Sequence, residues 1–132
     1  MDIKICKKFN LCIKDFLHDI LVISSIDKLK SLSNKINKLY SINICSRLII
    51  TKFIENIVPL NEYIKNQNSA IFKILIEKEG KGDLFELMKE LHLMWGNINE
   101  NNKRKIFEYL LVLNYYCEEY IRNHIKKKGL HL

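Results

Sequence analysis

The chain has 132 residues, 48% apolar and 28% charged, with a formal net charge of +7. That length suits one domain spanning 1–132, with a core large enough to fold without disulfides or metals, and the apolar content excludes a disordered chain. Four Gly and one Pro give sparse turn punctuation, which favours long helices over many short strands.

In chain order, Asn10 is a good N-cap and predicts a first helix starting after it. Leu11, Phe16, Leu17, Ile20, Leu21 and Ile23 form its apolar side. Ser24 to Asp27 resembles a capping box and predicts a break. A second helix follows, with a narrow stripe of Ile26, Leu29, Leu32, Ile36 and Leu39. From Ile42 to Val58 the chain is apolar on most sides, through Ile44, Cys45, Leu48, Ile49, Ile50, Phe53, Ile54 and Ile57. This is the candidate central helix, ended by Pro59. Leu60–Asn66 reads as a short helix or turn, and Asn68–Glu79 as a segment with Ile71, Ile74 and Leu75 on one face and Phe72 at its margin. Gly80–Gly82 is a flexible turn. Asp83 with Glu86 is a second capping box, opening a helix through Leu84, Leu87, Met88, Leu91 and Trp95, with Gly96 as its C′ glycine. The last helix is expected from about Glu100 to Lys127, with a seam of Ile106, Leu110, Leu113, Cys117, Tyr120 or Ile121, and His124 or Ile125. Ile98 is placed to staple its first turn, and Asn99 or Asn101 to cap it. The fold class is therefore all-α, a compact bundle of about five to seven helices.

The four cysteines, Cys6, Cys12, Cys45 and Cys117, form no C-x-x-C pair. They read as reduced thiols of an intracellular protein, with Cys45 and Cys117 in the core and Cys6 and Cys12 partly exposed. No secretory signal is evident, and no apolar run approaches the roughly 20 residues that span a bilayer. No ligand set has metal-site spacing, and no phosphate-binding glycine loop, G-x-S-x-G or dinucleotide motif is present. The expectation is a non-enzymatic protein without cofactor or metal. His18, His92, His124 and His131 are scattered and read as surface or interface residues.

The bias to 19 Lys, 14 Asn and 21 Ile against one Ala matches AT-rich codons, and it weakens any argument from lysine number. The charge is +4 over residues 1–40, −1 over 41–100 and +4 over 101–132. Lys126, Lys127 and Lys128 suit a helix C-terminus, where cations meet the macrodipole. Lys103, Arg104 and Lys105 lie at the opposite end, where the dipole does not explain them, and they are the better basic-patch candidate. Tyr109, Tyr115, Tyr116 and Tyr120 cluster on the last helix. They suit partial core packing, a base-stacking platform or a partner interface. Together with Trp95 and Phe107 they are the candidate interaction residues, and Trp95, Phe107 and Tyr115 are those to test for exposure.

Three blocks carry a family resemblance: Phe16-Leu17-His18-Asp19-Ile20, IVPLNEYIKNQNSAIF at 57–72, and DLFELMKELHLMWGNINENNKRKIFEYLLVLNYYCEEY at 83–120. The last contains Trp95, Ile98, Asn102, Lys103, Ile106, Phe107, Tyr109, Leu110 and Leu113 at the spacing W-x-x-[IL]-x-x-x-[NT]-[KR]-x-x-[IL]-[FW]-x-Y-L-x-x-L. These blocks resemble small helical paralogous proteins of giant nucleocytoplasmic large DNA viruses. The chain departs from them in having Phe107 where tryptophan is common, and in lacking a T-F-P-type turn after the first helix. The resemblance implies a viral protein of the virion or host cytoplasm and supplies no catalytic residues.

The leading expectation is thus a non-enzymatic interaction module with a protein partner. The alternative is a basic nucleic-acid-binding protein, which needs Lys4, Lys7, Lys8, Lys103, Arg104, Lys105 and Lys126–Lys128 on one face. A third reading, a viral Bcl-2-like regulator, rests on Met94-Trp95-Gly96-Asn97, faintly similar to that fold's W-G motif.

Overall fold

A computed structural model describes residues 2–27, 43, 45–78 and 82–127. Among the described residues there are six α-helices, two short 3-10 helices and no strand. The all-α bundle is as expected. The helix predicted over Ile26–Leu39 lies outside the described residues beyond Asp27.

α1 (Asp2–Asp27) is longer than its sequence pattern suggested. Ile5, Cys6, Phe9, Ile13, Phe16, Leu17, Ile20 and Ile23 recur at helical spacing and are all buried. The helix therefore starts eight residues before Asn10 and runs on through Ser24 to Asp27 without the expected break. Asn10 is no cap. It is 2% exposed, and its Nδ2 donates to the Ser46 carbonyl at 2.7 Å, an acceptor shared with the Cys6 thiol at 3.0 Å. Leu11, expected on the apolar side, is 50% exposed because Asn10 holds the buried position beside it.

The expected central helix is shorter than its apolar run: α2 covers Leu48–Asn56. Polar side chains capture the amides before it. Asn43 Oδ1 accepts from Cys45 N at 2.8 Å, and Ser46 Oγ from Leu48 N at 3.2 Å. Such bonds compete with helix formation. They also leave Cys45 exposed rather than in the core. Pro59 sits in a 3-10 turn (Val58–Leu60), followed by the short α3 (Asn61–Lys65). Gln67, just past α3, has φ 51, in the left-handed region.

α4 (Ala70–Glu77) buries Ile71, Phe72 and Leu75. α5 (Asp83–Met94) begins after Gly82, whose φ of 110 only glycine adopts readily, and no side chain caps it. The N-cap residue is thus Gly82, one position before the expected Asp83. α5 ends in a 3-10 turn, Trp95–Asn97, which contains Gly96 and replaces the predicted left-handed glycine stop. α6 (Glu100–Lys127) matches its expected bounds. Asn99 Oδ1 caps it from Asn102 N at 2.8 Å, and Ile98 is buried beneath.

α1 packs most extensively against α6, which also touches α2 and α3, while α4 pairs with α5. The α6 seam of Ile106, Leu110, Leu113 and Cys117 is buried as expected. Phe9 meets Phe53 edge-on at 5.4 Å, and Phe72, Trp95 and Phe107 form a trio with centroids 5.0 to 6.1 Å apart. Asn114, 2% exposed, donates through Nδ2 to Asn61 Oδ1 at 2.9 Å, tying α6 to α3. Among the described residues no helix is long and apolar enough to cross a membrane.

Because Phe107 fills the aromatic trio, Phe107→Ala is expected to cost about 3–5 kcal/mol of folding stability in urea denaturation. Tyr115→Ala, at the exposed face of the same helix, should leave the denaturation midpoint essentially unchanged.

Candidate functional site

The two longest helices lie side by side, and between them runs a groove of about 350 Å³. α1 contributes Cys12 and Asp19, seven residues apart and so on one face. α6 contributes Lys105, Glu108, Tyr109 and Val112, spaced three, four and seven from the first. Tyr109 lies on Phe16 with centroids 5.1 Å apart, and its hydroxyl donates to Asp19 Oδ2 at 2.5 Å. Burial first, and then the Asp19 carboxylate, hold the phenol protonated far above its ordinary range. Burial, seconded by Asp15, pushes the Cys12 thiol up to about 11.

The candidate aromatics divide. Phe107 is buried and belongs to the core, a correction to its assignment as an interaction residue. With its neighbour Ile106 it is buried where Phe72 and the Trp95 turn approach α6. Trp95 is half-buried at the edge of the same trio. Tyr109 is occupied by Phe16 and Asp19. Tyr115 is 53% exposed, 6.0 Å from Tyr116, and donates to Glu119 Oε1 at 2.7 Å. Tyr116 and Tyr120 are half-buried against the core. Leu111 and Val112, at 39% and 44% exposure, lie one turn before Tyr115 and Tyr116. Leu111, Val112 and Tyr115 thus form an apolar strip running along α6 out of the groove, a feature the tyrosines alone indicated only in part.

The basic triplet also divides. Lys105 lines the α1–α6 groove, whereas Lys103 and Arg104 line a separate cleft beside Trp95. Successive helix residues point about 100° apart, so three in a row cannot share a narrow face. Lys4, Lys7 and Lys8 are exposed on α1. The side chains of Lys126, Lys127 and Lys128 lie outside the described residues. Trp95-Gly96-Asn97 closes α5 rather than opening an apolar central helix.

His18 and His92 are exposed, and neither lines the groove. Among the described residues no group of three or more His, Cys, Asp or Glu is placed to hold a metal ion. Cys6 is fully buried rather than partly exposed, Cys12 is half-buried, and Cys117 is buried as expected. In the sequence Asp19 stands out only within the Phe16–Ile20 resemblance block. Its pairing with Tyr109 spans ninety positions and leaves no local signal.

Iodoacetamide at about pH 8 should alkylate Cys45 first, Cys12 slowly, and Cys6 and Cys117 only in denaturant, as read by mass spectrometry. Cys12 labelling should accelerate as pH approaches 11, where its thiol ionises. The folded Tyr109 phenol has a pKa above its unfolded value. Its contribution is therefore complete below about pH 10 and is lost as pH rises through the folded pKa. Urea midpoints should accordingly fall more steeply above about pH 10 in the wild type than in Tyr109→Phe. Compared with protein-family models, curated proteins and solved structures, the chain matches none.

Proposed function

We propose that this chain is a non-enzymatic helical interaction module that binds a protein partner through the exposed strip of its last helix. The observation that carries the reading is the run of Leu111, Val112 and Tyr115, each more than a third exposed on consecutive turns beside Tyr116. Contiguous apolar surface on a water-facing helix marks a contact site, and tyrosine supplies large rigid area there. Glu108, Glu118 and Glu119 border the strip, with Arg122 beyond. The partner surface that fits is apolar at its centre and mainly cationic at its rim.

The residue blocks resembling giant-virus paralogues, and the AT-type composition, support a large DNA virus as the source, with the virion or host cytoplasm as the place of action. The groove supports a non-catalytic reading. A thiol with a pKa of about 11 stays protonated near neutral pH and is a poor nucleophile. The divergence of Lys105 from Lys103 and Arg104 weighs against the nucleic-acid alternative.

The test is recovery of the tagged protein from its native infection, with and without nuclease, beside a Leu111→Asp/Tyr115→Asp variant whose helicity is verified. Protein partners should survive nuclease and be lost in the variant. Loss of all partners on nuclease treatment, or an unchanged partner set in the variant, would overturn the reading.

A further inference from the structure

A second cleft, of about 190 Å³, lies on the side of α6 away from the groove. It is lined by Gln67 and Ser69 from the α3–α4 connection, by Trp95, and by Glu100, Lys103, Arg104 and Phe107 from α6. We propose that this cleft binds the phosphoryl group of a small phosphomonoester. The inference is independent of the apolar strip.

Three hydrogen-bonding side chains line the cleft, with Gln67 and Arg104 open to solvent and Ser69 half-buried. Gln67, Ser69 and Arg104 have no side-chain partner among the described residues. Lys103 adds a second cation. Its side chain is only 22% exposed, its Nζ lies 5.6 Å from the Trp95 ring centroid, and Glu100 Oε1 is 3.4 Å away. The half-buried Trp95 ring and the buried Phe107 back the cleft, whose exposed lining is mainly polar. The lining is made of side chains, and at the α6 N-terminus Asn99 already takes the Asn102 amide.

The backbone at Gln67 supports the same reading. Its φ of 51 is a conformation that glycine or asparagine would take with less strain. Hydrogen bonds from Gln67 N to Ile64 O and from Asn68 N to Tyr63 O hold the turn. Residues kept in such conformations cluster at functional sites.

A tetrahedral dianion uses this donor set better than a planar carboxylate does. The lining offers a guanidinium fork, an ammonium, an amide and a hydroxyl, more donors than the two oxygens of a carboxylate can use and a match for the three of a phosphoryl group. A polynucleotide would need cations continuing along a track, but Lys105 faces the other groove. The volume suits one phosphate with a small alcohol attached. Glu100 is the opposing charge, and a bound phosphoryl group would take Lys103 from it.

The test is a titration of the 15N-labelled protein with ribose 5-phosphate, with ribose and a short oligodeoxythymidine as separate arms. Saturable amide shifts should be confined to Gln67, Ser69, Trp95, Lys103 and Arg104, and absent with ribose. Arg104→Gln should weaken binding about tenfold or more. Glu100→Gln should tighten it about two- to threefold, by removing the competing carboxylate. Gln67→Gly should bind more weakly while its Tm does not fall, which separates lost binding from lost folding. No saturation at millimolar ligand, unchanged affinity in Arg104→Gln, or shifts spread over Lys4, Lys7 and Lys8 would overturn the proposal. So would tighter binding of the oligonucleotide than of ribose 5-phosphate.

Discussion

The contact between the first and last helices is what the remaining elements are arranged around. α1 and α6 are the only described helices of more than twenty residues, and neither could bury its stripe alone. Leu17 and Ile20 on α1, and Leu110 and Leu113 on α6, are almost fully buried. Each such side chain contributes about 1.5–3 kcal/mol relative to exposure. The shorter helices then fill what that pair leaves uncovered. α2 and α3 reach α6, and α4 pairs with α5 under the aromatic trio.

Two polar clamps give this apolar bundle its register. The Ser46 carbonyl receives both the Asn10 amide and the Cys6 thiol, fixing the approach to α2 against the first half of α1. Asn114 and Asn61 do the same between α6 and α3. A buried polar pair has one good geometry, whereas leucine against isoleucine tolerates sliding. These contacts therefore contribute to uniqueness more than to total stability. Tyr109 with Asp19 plays a comparable part at the groove, where a polar bond crosses the principal helix pair.

Periodicity made the fold class and the bounds and seam of α6 legible in the sequence, while cap and turn chemistry narrowed the α6 cap to Asn99 or Asn101 and the stretch after Pro59 to a short helix or turn. What it could not decide was the use of residues with two uses. Asn10 is as good a cap as it is a buried clamp, and only the Ser46 carbonyl, thirty-six positions away, selects between them. Cys45 sits in an apolar run, yet Asn43 takes its amide and turns the chain outward. Phe107 and Tyr115 are both aromatic positions of one helix. Their opposite fates follow from where Phe72 and the Trp95 turn lie, which is tertiary information. The two clefts were legible only as residue types. Lys103, Arg104 and Trp95 were singled out, whereas Gln67 and Ser69 stood only within the 57–72 resemblance block, with no role attached to either.

Trp95 is the chain's single tryptophan, and it sits where the aromatic trio meets the polar cleft. Its emission therefore has one source and one location. Loss of the packed Phe72 and Phe107 rings would expose the indole to water, and movement of the Lys103 ammonium would alter the field across its ring. The protein thus carries an intrinsic fluorophore placed to report both the integrity of its interior and changes at its surface cleft through one optical signal.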